Sequence, residues 1–199
     1  MSDAGNPVAT SSQTVGPFFH FGLATNETLG RVAAPDVPGE RVRLRIRVLD
    51  GDGVPVPDAL LEIYQADASG AYARPGGSFA GFGRLPTDAD GVCVFETIKP
   101  GPVPEGGQVQ APHVNVCLLA RGLLRQIYTR IYFAGDQGHD GDPLLRLVPP
   151  GRVHTLMAAR LRDDEETPES RATAPESHAS TWEITVRLQG DDETVFFDL

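Results

Sequence analysis

A tyrosine, a histidine and an asparagine are the side chains of this sequence whose types and spacing come nearest to a metal site. His113 and Asn115 stand two apart in an apolar run, and alternate residues of a strand face the same side. Tyr72 lies upstream, at the end of a polar turn-like run that begins at Gln65. One phenol, one imidazole and a neutral amide suit ferric iron poorly, because this hard cation prefers anionic oxygen ligands. By residue type alone, His113 is an ordinary hydrogen-bonded strand histidine and Tyr72 a packed or capping tyrosine.

Composition and charge limit the classes of function. The chain has 199 residues, 17 of them basic and 27 acidic, and a formal net charge of −10. Its length fits one domain with a sizeable core. Its acidity argues against nucleic acid as a partner, because phosphate contacts need an excess of Lys and Arg. No apolar run approaches the roughly 18 residues of a membrane span, and residues 1–7 do not resemble a signal peptide. We therefore expect no membrane partner and a cytoplasmic location.

The cysteines predict no metal or redox chemistry. Cys93 and Cys117 are too few and too far apart for a zinc site or a Cys-x-x-Cys pair. Each lies in an apolar, strand-like run, so we expect both to be buried, reduced and inert.

Short apolar runs separated by Gly, Pro and Asp turns predict an all-β sandwich. The clearest run is Val42–Val48, where apolar residues alternate with arginines, as in a strand with one face in the core. Further strands are predicted at residues 59–65, 92–97, 113–119, 127–133, 153–161 and 181–188. One helical turn is predicted around residues 142–147.

The segments between these strands carry further expectations. Residues 1–40 contain many Pro and Gly breakers and predict an extended N-terminal arm. Residues 41–199 form the predicted sandwich domain. Within it, residues 70–83 contain too many glycines for regular structure, and the acidic segment 163–177 is expected to be an exposed loop.

A set of local motifs resembles the intradiol ring-cleavage dioxygenases over about residues 42–188. The most specific are the segments Thr97–Pro104 and Gln110–Asn115, and the others, in family order, lie at residues 53–59, 82–84, 87–91 and 129–133. The resemblance implies a β-sandwich of the intradiol dioxygenase type, with long loops. It also implies four positions at which catalytic family members bind non-haem Fe(III) through two tyrosines and two histidines.

Two of those four positions lack a ligand in this chain. The resemblance places Tyr72 and His113 at one tyrosine and one histidine of the family, Val103 at the second tyrosine and Asn115 at the second histidine. Replacing a phenolate by the isopropyl group of Val103 removes a bond and a compensating charge. We therefore predict a vestigial metal site that holds no iron, and no catalytic residue in this chain alone.

The two ends of the chain narrow the resemblance. The segments Thr10–Phe19 and Glu193–Leu199 are similar to the alpha chains of family members that are built from alpha and beta chains. This implies a hetero-oligomer whose beta chain binds Fe(III) and whose reaction cleaves 3,4-dihydroxybenzoate (protocatechuate) with O₂ to 3-carboxy-cis,cis-muconate. The resemblance further implies that the alpha chain supports assembly, with the arm of residues 1–40 at the subunit interface, and lines the mouth of the beta chain's active site.

The residues that the resemblance places at that mouth are Thr14, Gly16, Pro17, Phe18 and Arg130. A glycine lets backbone approach a ligand closely, a proline fixes the chain direction, and Phe18 lacks the hydroxyl of the tyrosine that some relatives carry. The guanidinium of Arg130 suits the substrate carboxylate, which it would bind through a charge-assisted fork. An intrachain salt bridge is the alternative for this residue.

Two other functions stay open from the sequence. The first is a self-sufficient iron dioxygenase that adds a carboxylate, Glu105 or Asp136, to Tyr72 and His113. The second is a binding or transport sandwich without enzymatic activity. We favour the subunit, because its motifs extend over most of the chain.

The remaining polar candidates are expected to be structural. His139 lies in a glycine-rich stretch that is typical of an exposed turn rather than of a metal loop. Arg84 and Arg121 have weaker claims to a substrate than Arg130.

Overall fold

The computed structural model describes residues 9–16, 19–24, 26–73, 79–161 and 179–198. Within these ranges the strands are β1 (Arg41–Leu49), β2 (Leu60–Gln65), β3 (Phe82–Pro86), β4 (Val92–Ile98), β5 (Val103–Glu105), β6 (Gln108–Gln110), β7 (His113–Leu119), β8 (Ile127–Phe133), β9 (Met157–Arg160) and β10 (Ser180–Arg187). Helical segments are α1 (Phe19–Leu23) and 3-10 turns at Glu27–Gly30, His139–Gly141, Leu145–Leu147 and Pro150–Leu156. In the described part of the chain, no helix is long and apolar enough to cross a membrane.

The strands form two half-sheets that share β9. The order β3-β2-β7-β8-β9-β10-β1-β4 places β9 between the halves. Met157 and Ala158 pair with β8 in parallel, whereas Ala159 and Arg160 pair with β10 antiparallel. The inner faces of the two halves pack into one hydrophobic core. The all-β sandwich predicted from the sequence is confirmed.

The core follows from alternation along the strands. In β1, Val42, Leu44 and Ile46 are at most 1% exposed, while the intervening arginines lie on the outer face and are half-buried. Each fully buried Leu or Ile contributes about 1.5–3 kcal/mol by removing apolar surface from water. The strand over 42–48 is thus confirmed, together with its inward-facing set.

The segment before β1 packs more closely than the sequence indicates. Val32, Ala33 and Val37 are buried in the same core as the strands. Ala9 to Thr14 are exposed. Residues near 32–37 therefore stabilise the sandwich. The sequence did not predict this contribution, because the apolar residues there follow no strand or helix period. The division of the chain at residue 40 remains a prediction.

Other local predictions differ from the structure. Strand β3 begins inside the stretch predicted to be irregular, and the β5–β6 hairpin was not predicted. The strand predicted over 153–161 was wrong in its first part, where Pro150–Leu156 forms 3-10 turns, and β9 begins only at Met157. The helical turn near 142–147 is confirmed as the 3-10 turn Leu145–Leu147. The predicted acidic loop at 163–177 lies outside the described residues.

A tight turn after β2 delivers Tyr72 to the outer face. The carboxylate of Asp67 accepts hydrogen bonds from the backbone N–H of Ser69 at 2.8 Å and of Ala71 at 3.1 Å. Gly70 has φ +83°, and a Cβ at this position would lie 1.9 Å from the carbonyl oxygen of Pro102. Only glycine lets this turn lie directly against the loop that leads to Val103.

We expect Gly70→Ala to lower the free energy of unfolding by about 3 kcal/mol or more, because it combines left-handed strain with a backbone clash. Gly135→Ala is the matched control: Gly135 has φ +82° and no atom within 4 Å of its Cβ position. It should cost only the conformational strain, about 1 kcal/mol. Urea unfolding of both variants measures the difference, and equal losses would contradict the close approach at Pro102.

Candidate functional site

The register of β7 assembles the candidate site on the outer face of one half-sheet. β7 lies between β2 and β8, and Asn115 pairs with Tyr64 on one side and with Arg130 on the other. His113 pairs with Tyr132. Because side chains alternate along a strand, the neighbours of His113 and Asn115 on β7, Val114 and Val116, face the core.

A chain of hydrogen bonds connects four of the predicted residues. Arg130 Nε donates to Asn115 Oδ1 at 2.9 Å. Asn115 Nδ2 then donates to the Tyr72 hydroxyl at 2.9 Å, and that hydroxyl lies 3.1 Å from His113 Nε2. The structure therefore brings Arg130, Asn115, Tyr72 and His113 together.

His113 is buried and neutral. Its Nδ1 lies 2.8 Å from the carbonyl oxygen of Ala111, which can only accept, so Nδ1 carries the proton and Nε2 accepts from Tyr72. Burial, helped by the positive charge of Arg130, lowers the pKa of His113 to about 4. The expectation of a hydrogen-bonded strand histidine describes this residue.

Tyr72 keeps its proton. Its ring stacks on Tyr64 with the ring centroids 5.1 Å apart. Burial raises the pKa of the Tyr72 phenol, although the hydrogen bond from Asn115 and the charge of Arg130 act in the opposite direction. A protonated phenol that donates to His113 has no anionic oxygen to offer.

Amides, not carboxylates, hold Arg130. Its NH1 donates to Gln110 Oε1 at 2.7 Å, and Gln110 in turn donates to Glu105. In the described ranges, Arg130 forms no salt bridge. The intrachain salt bridge considered for this residue is therefore absent there, and its charge has no carboxylate as a direct partner.

Val103 completes the set from β5. It is 5% exposed, and its backbone pairs with Gln110 of β6. The hairpin thus places Val103 beside Gln110, which accepts a hydrogen bond from Arg130.

These residues do not fit ferric iron. Tyr72 is protonated and donates to His113, Asn115 directs its oxygen to Arg130, and Val103 is apolar. A guanidinium lies within hydrogen-bonding distance of the amide at the second histidine position. Among the described residues there is also no group of three His, Cys, Asp or Glu side chains that could hold a metal ion.

The carboxylates of the self-sufficient alternative are engaged elsewhere. Asp136 pairs with Lys99 at 2.6 Å, and the Lys99 ammonium also lies over the rings of Phe133 and Trp182. Glu105 is exposed and accepts from Gln110.

Sequence reasoning missed two residues that shape this site, Gln110 and Asp142. Asp142 is fully buried. Its carboxylate accepts from Ala111 N at 2.8 Å, from Leu145 N at 2.9 Å and from the Tyr132 hydroxyl at 3.2 Å. It therefore connects the residue two positions before β7 to β8 and to the loop that follows β8. The Asp-Pro pair at 142–143 is the available signal, since Asp before a turn often caps backbone N–H groups.

His139, expected in an exposed turn, is instead half-buried. Its ring packs edge-on against Tyr132, with the centroids 6.0 Å apart. The turn itself is exposed at residues 137, 138, 140 and 141, as expected, and only the imidazole packs inward.

Thr14, one of the arm residues predicted at the mouth, is not beside Arg130 in this chain. Thr14 Oγ1 accepts from Gly122 N at 2.8 Å, beyond the far end of β7 from His113. A strand of this length separates the two ends by roughly 20 Å. A Cβ on Gly16 would meet no atom within 4 Å, and Pro17 and Phe18 lie outside the described residues.

Arg84 and Arg121 have carboxylate partners, as expected of structural arginines. Arg84 pairs with Glu62 at 2.5 Å, and Arg121 with Asp58 at 3.7 Å. Neither is directed to the cluster around Tyr72.

The two cysteines differ in burial. Cys93 is buried in the core, as predicted, and burial raises the pKa of its thiol. Cys117 was wrongly expected to be buried: it is half-exposed in a groove on the outer face that Tyr64, Tyr128 and Phe197 also line. Burial still raises the pKa of Cys117 to about 11, so the thiol is not activated.

Comparisons with known proteins place this geometry in a family. A family model described as Dioxygenase matches residues 14–188. The protocatechuate 3,4-dioxygenase alpha chain of Pseudomonas putida is 38% identical, over 95% of this chain and 96% of its own length. The protocatechuate 3,4-dioxygenase beta chain of Burkholderia cepacia is 33% identical, over 78% of this chain and 67% of its own.

A solved structure supports the fold. Hydroxyquinol 1,2-dioxygenase from Pseudomonas putida DLL-E4 superimposes with a TM-score of 0.66, covering 90% of this chain and 66% of its own. At 22% sequence identity, this similarity concerns the fold alone.

The burial of His113 predicts a pH dependence of stability. Its pKa is about 4 in the folded chain and 6.5 in the unfolded chain, so the unfolded state binds more protons between these values. The stabilisation that neutral His113 contributes is complete above pH 6.5 and is lost as the pH falls toward 4. The free energy of unfolding falls by about 3 kcal/mol in total.

We expect His113→Gln to flatten the dependence of unfolding free energy on pH over this window, measured by urea unfolding at several pH values. His154→Gln is the control, because the His154 side chain is 63% exposed. If the unfolding free energies of wild type and His113→Gln depended on pH in the same way, His113 would not be a buried, neutral imidazole.

Proposed function

Because the chain belongs to the intradiol ring-cleavage dioxygenase family, we propose that it is the alpha subunit of a protocatechuate 3,4-dioxygenase. The enzyme cleaves 3,4-dihydroxybenzoate with O₂ to 3-carboxy-cis,cis-muconate. In this proposal the Fe(III) belongs to a beta chain of the same family, and the present chain supports assembly and lines the mouth of that site.

One observation carries the division of roles. In this proposal the four positions that the family uses for iron are Tyr72, Val103, His113 and Asn115. Neutral hydrogen bonds join Tyr72 to His113 and Asn115, and Val103 is a buried apolar residue. A family member with this site needs another chain to supply the metal chemistry. The similarity to both alpha and beta chains supports such a pair.

Arg130 is the residue that we propose to attract the substrate carboxylate. It is half-buried, and its Nε and NH1 bond to neutral amide oxygens, so its charge is oriented without being neutralised by a direct carboxylate partner. A partly desolvated guanidinium binds carboxylates more strongly than an exposed one.

The arm is the second proposed contribution to that mouth, through Thr14, Gly16, Pro17 and Phe18. Thr14 and Gly16 are exposed, which leaves them accessible to a partner chain. Because Thr14 lies near Gly122, at the other end of the β7–β8 hairpin from Asn115, a pocket lined by both regions must extend along this hairpin.

The remaining parts of the proposal concern the surroundings of the enzyme. The net charge of −10 argues against nucleic acid as a partner. The thiols of Cys93 and Cys117 are free, as expected in a reducing compartment, and support a cytoplasmic location without a membrane partner.

The iron content of the full chain, purified alone and after co-expression with a beta chain, tests the proposal. We expect the lone chain to be free of iron and inactive, and the pair to contain ferric iron and to cleave protocatechuate. Stoichiometric iron in the lone chain would instead support the self-sufficient dioxygenase. A folded pair without activity would support the non-enzymatic binding protein.

The substrate role of Arg130 predicts a selective kinetic effect. In the assembled enzyme, Arg130→Ala should raise the KM for protocatechuate by about 10- to 100-fold, the value of a charge-assisted hydrogen bond. The KM for catechol, which lacks the carboxylate, should change much less. Arg84→Ala is the control, since Arg84 is paired with Glu62. Equal effects of Arg130→Ala on both substrates would remove Arg130 from this role.

A further inference from the structure

The outer face of the half-sheet opposite the candidate site carries a row of arginines. Arg43, Arg45 and Arg47 alternate with the buried residues of β1, so all three point away from the core. Arg187 lies on the outer face of the neighbouring strand β10, where it pairs with Leu49. We call these four arginines the arginine face. At the usual rise of a strand, the row from Arg43 to Arg47 is about 14 Å long.

Two carboxylates lie on the same surface, and both are already paired. Glu183 of β10 forms a salt bridge with Arg45. Glu96 of β4 forms one with Arg31 at 3.2 Å. These two pairs therefore leave the charge of the other arginines uncompensated.

Arg47 and Arg187 are the arginines of this face whose charge stays open. Among the described residues, neither forms a salt bridge. The Nε atom of Arg47 is also shielded from solvent without a hydrogen-bond partner. A guanidinium that is partly desolvated and lacks a carboxylate attracts an incoming carboxylate strongly.

The end of the sandwich beside the arginine face is acidic. Three turns lie there, at residues 50–53 after β1, 88–91 before β4 and 189–193 after β10, and their strands are neighbours in the order β10-β1-β4. In the described ranges, the one salt-bridge partner of their aspartates is His154, which lies 3.6 Å from Asp192. Each turn contributes two exposed or half-buried aspartates, which we together call the acidic end: Asp50, Asp52, Asp88, Asp90, Asp191 and Asp192.

We propose that the arginine face of one copy of this chain binds the acidic end of another copy. Neighbouring strands are about 4.8 Å apart, so the three acidic turns span roughly 10 Å, a length similar to that of the arginine row. The two surfaces are different parts of the molecule, so the contact is heterologous and its repetition joins copies in a ring or an open array. This inference goes beyond the proposed subunit role and does not depend on it.

Another copy fits the arginine face better than a nucleic acid does. A nucleic acid is negative along its whole length, so it would meet the net charge of −10 wherever it left the arginine face. Two copies of the chain also repel each other through their net charge. At physiological ionic strength, however, this repulsion is screened beyond about 8 Å, whereas ion pairs in direct contact persist.

Charge reversal on either surface tests the contact. The double variant Arg47→Glu with Arg187→Glu reverses the arginine face, and Asp52→Arg with Asp191→Arg reverses the acidic end. Neither variant removes a salt bridge of the described residues. Sedimentation velocity of the full chain at physiological ionic strength measures association, and circular dichroism checks folding.

We expect the wild-type chain to associate, and each double variant to associate at least about tenfold more weakly. An equimolar mixture of the two variants should associate as the wild type does. In the mixture, the reversed face of one variant matches the reversed end of the other, and the unchanged surfaces match as well.

The matched control is Arg125→Glu with Arg146→Glu. It makes the same change of charge at two exposed arginines that lie outside both surfaces. We expect this control to associate like the wild type.

Four results would overturn the inference: a monomeric wild type, a control that dissociates as the variants do, a mixture that stays dissociated, or a reversed arginine face that leaves association unchanged. In the last case, a lower free energy of unfolding would show that carboxylates of the same chain occupy this face. If the arginine variant does not fold, the acidic-end variant decides, because its substitutions lie in exposed turns. Iron content and ring cleavage are not readouts here, so failure of the subunit proposal would leave this test unchanged.

Discussion

The register of β7 between β2 and β8 is the constraint on which the site depends. It sets Asn115 opposite both Tyr64 and Arg130, and it turns His113 to the same face. A slip of one residue would send these side chains into the core and expose Val114 and Val116, which are buried. Burial of Val114 and Val116 therefore sets the register of β7, and this register in turn sets the positions of the polar side chains on the outer face.

Within this frame the chain keeps the shape of a family site and changes its electrostatics. A ferric site needs phenolates, and phenolates need a cation to stabilise their charge. In this chain the charge of Arg130 acts to lower the pKa of Tyr72, but burial outweighs it, so Tyr72 stays a neutral phenol. Neutral hydrogen bonds then join His113, Tyr72 and Asn115, and they satisfy groups that would be costly to leave unpaired.

The supporting residues show how local turns hold this cluster. Gly70 lets the turn before Tyr72 meet the carbonyl of Pro102, and Asp142 accepts a hydrogen bond from the backbone of Ala111, just before β7. Lys99, the one lysine of the sequence, is paired with Asp136 near Trp182. These contacts connect residues far apart in sequence, so a charged residue that looks isolated along the chain is paired in space.

Periodicity along the chain was enough to predict most strands, the sandwich and the shared face of His113 and Asn115, because alternation with period two is a local property. The assignment of Arg130 to a site came from the resemblance. The resemblance added Tyr72 and Val103 as related positions. The partners of Arg130, the burial of Val32 and Val37, and the separation of Thr14 from the site came only from the tertiary structure. The physical reason is the same for all of these features. Each depends on which strands and loops become neighbours in space, and the spacing of residues along the chain does not determine that.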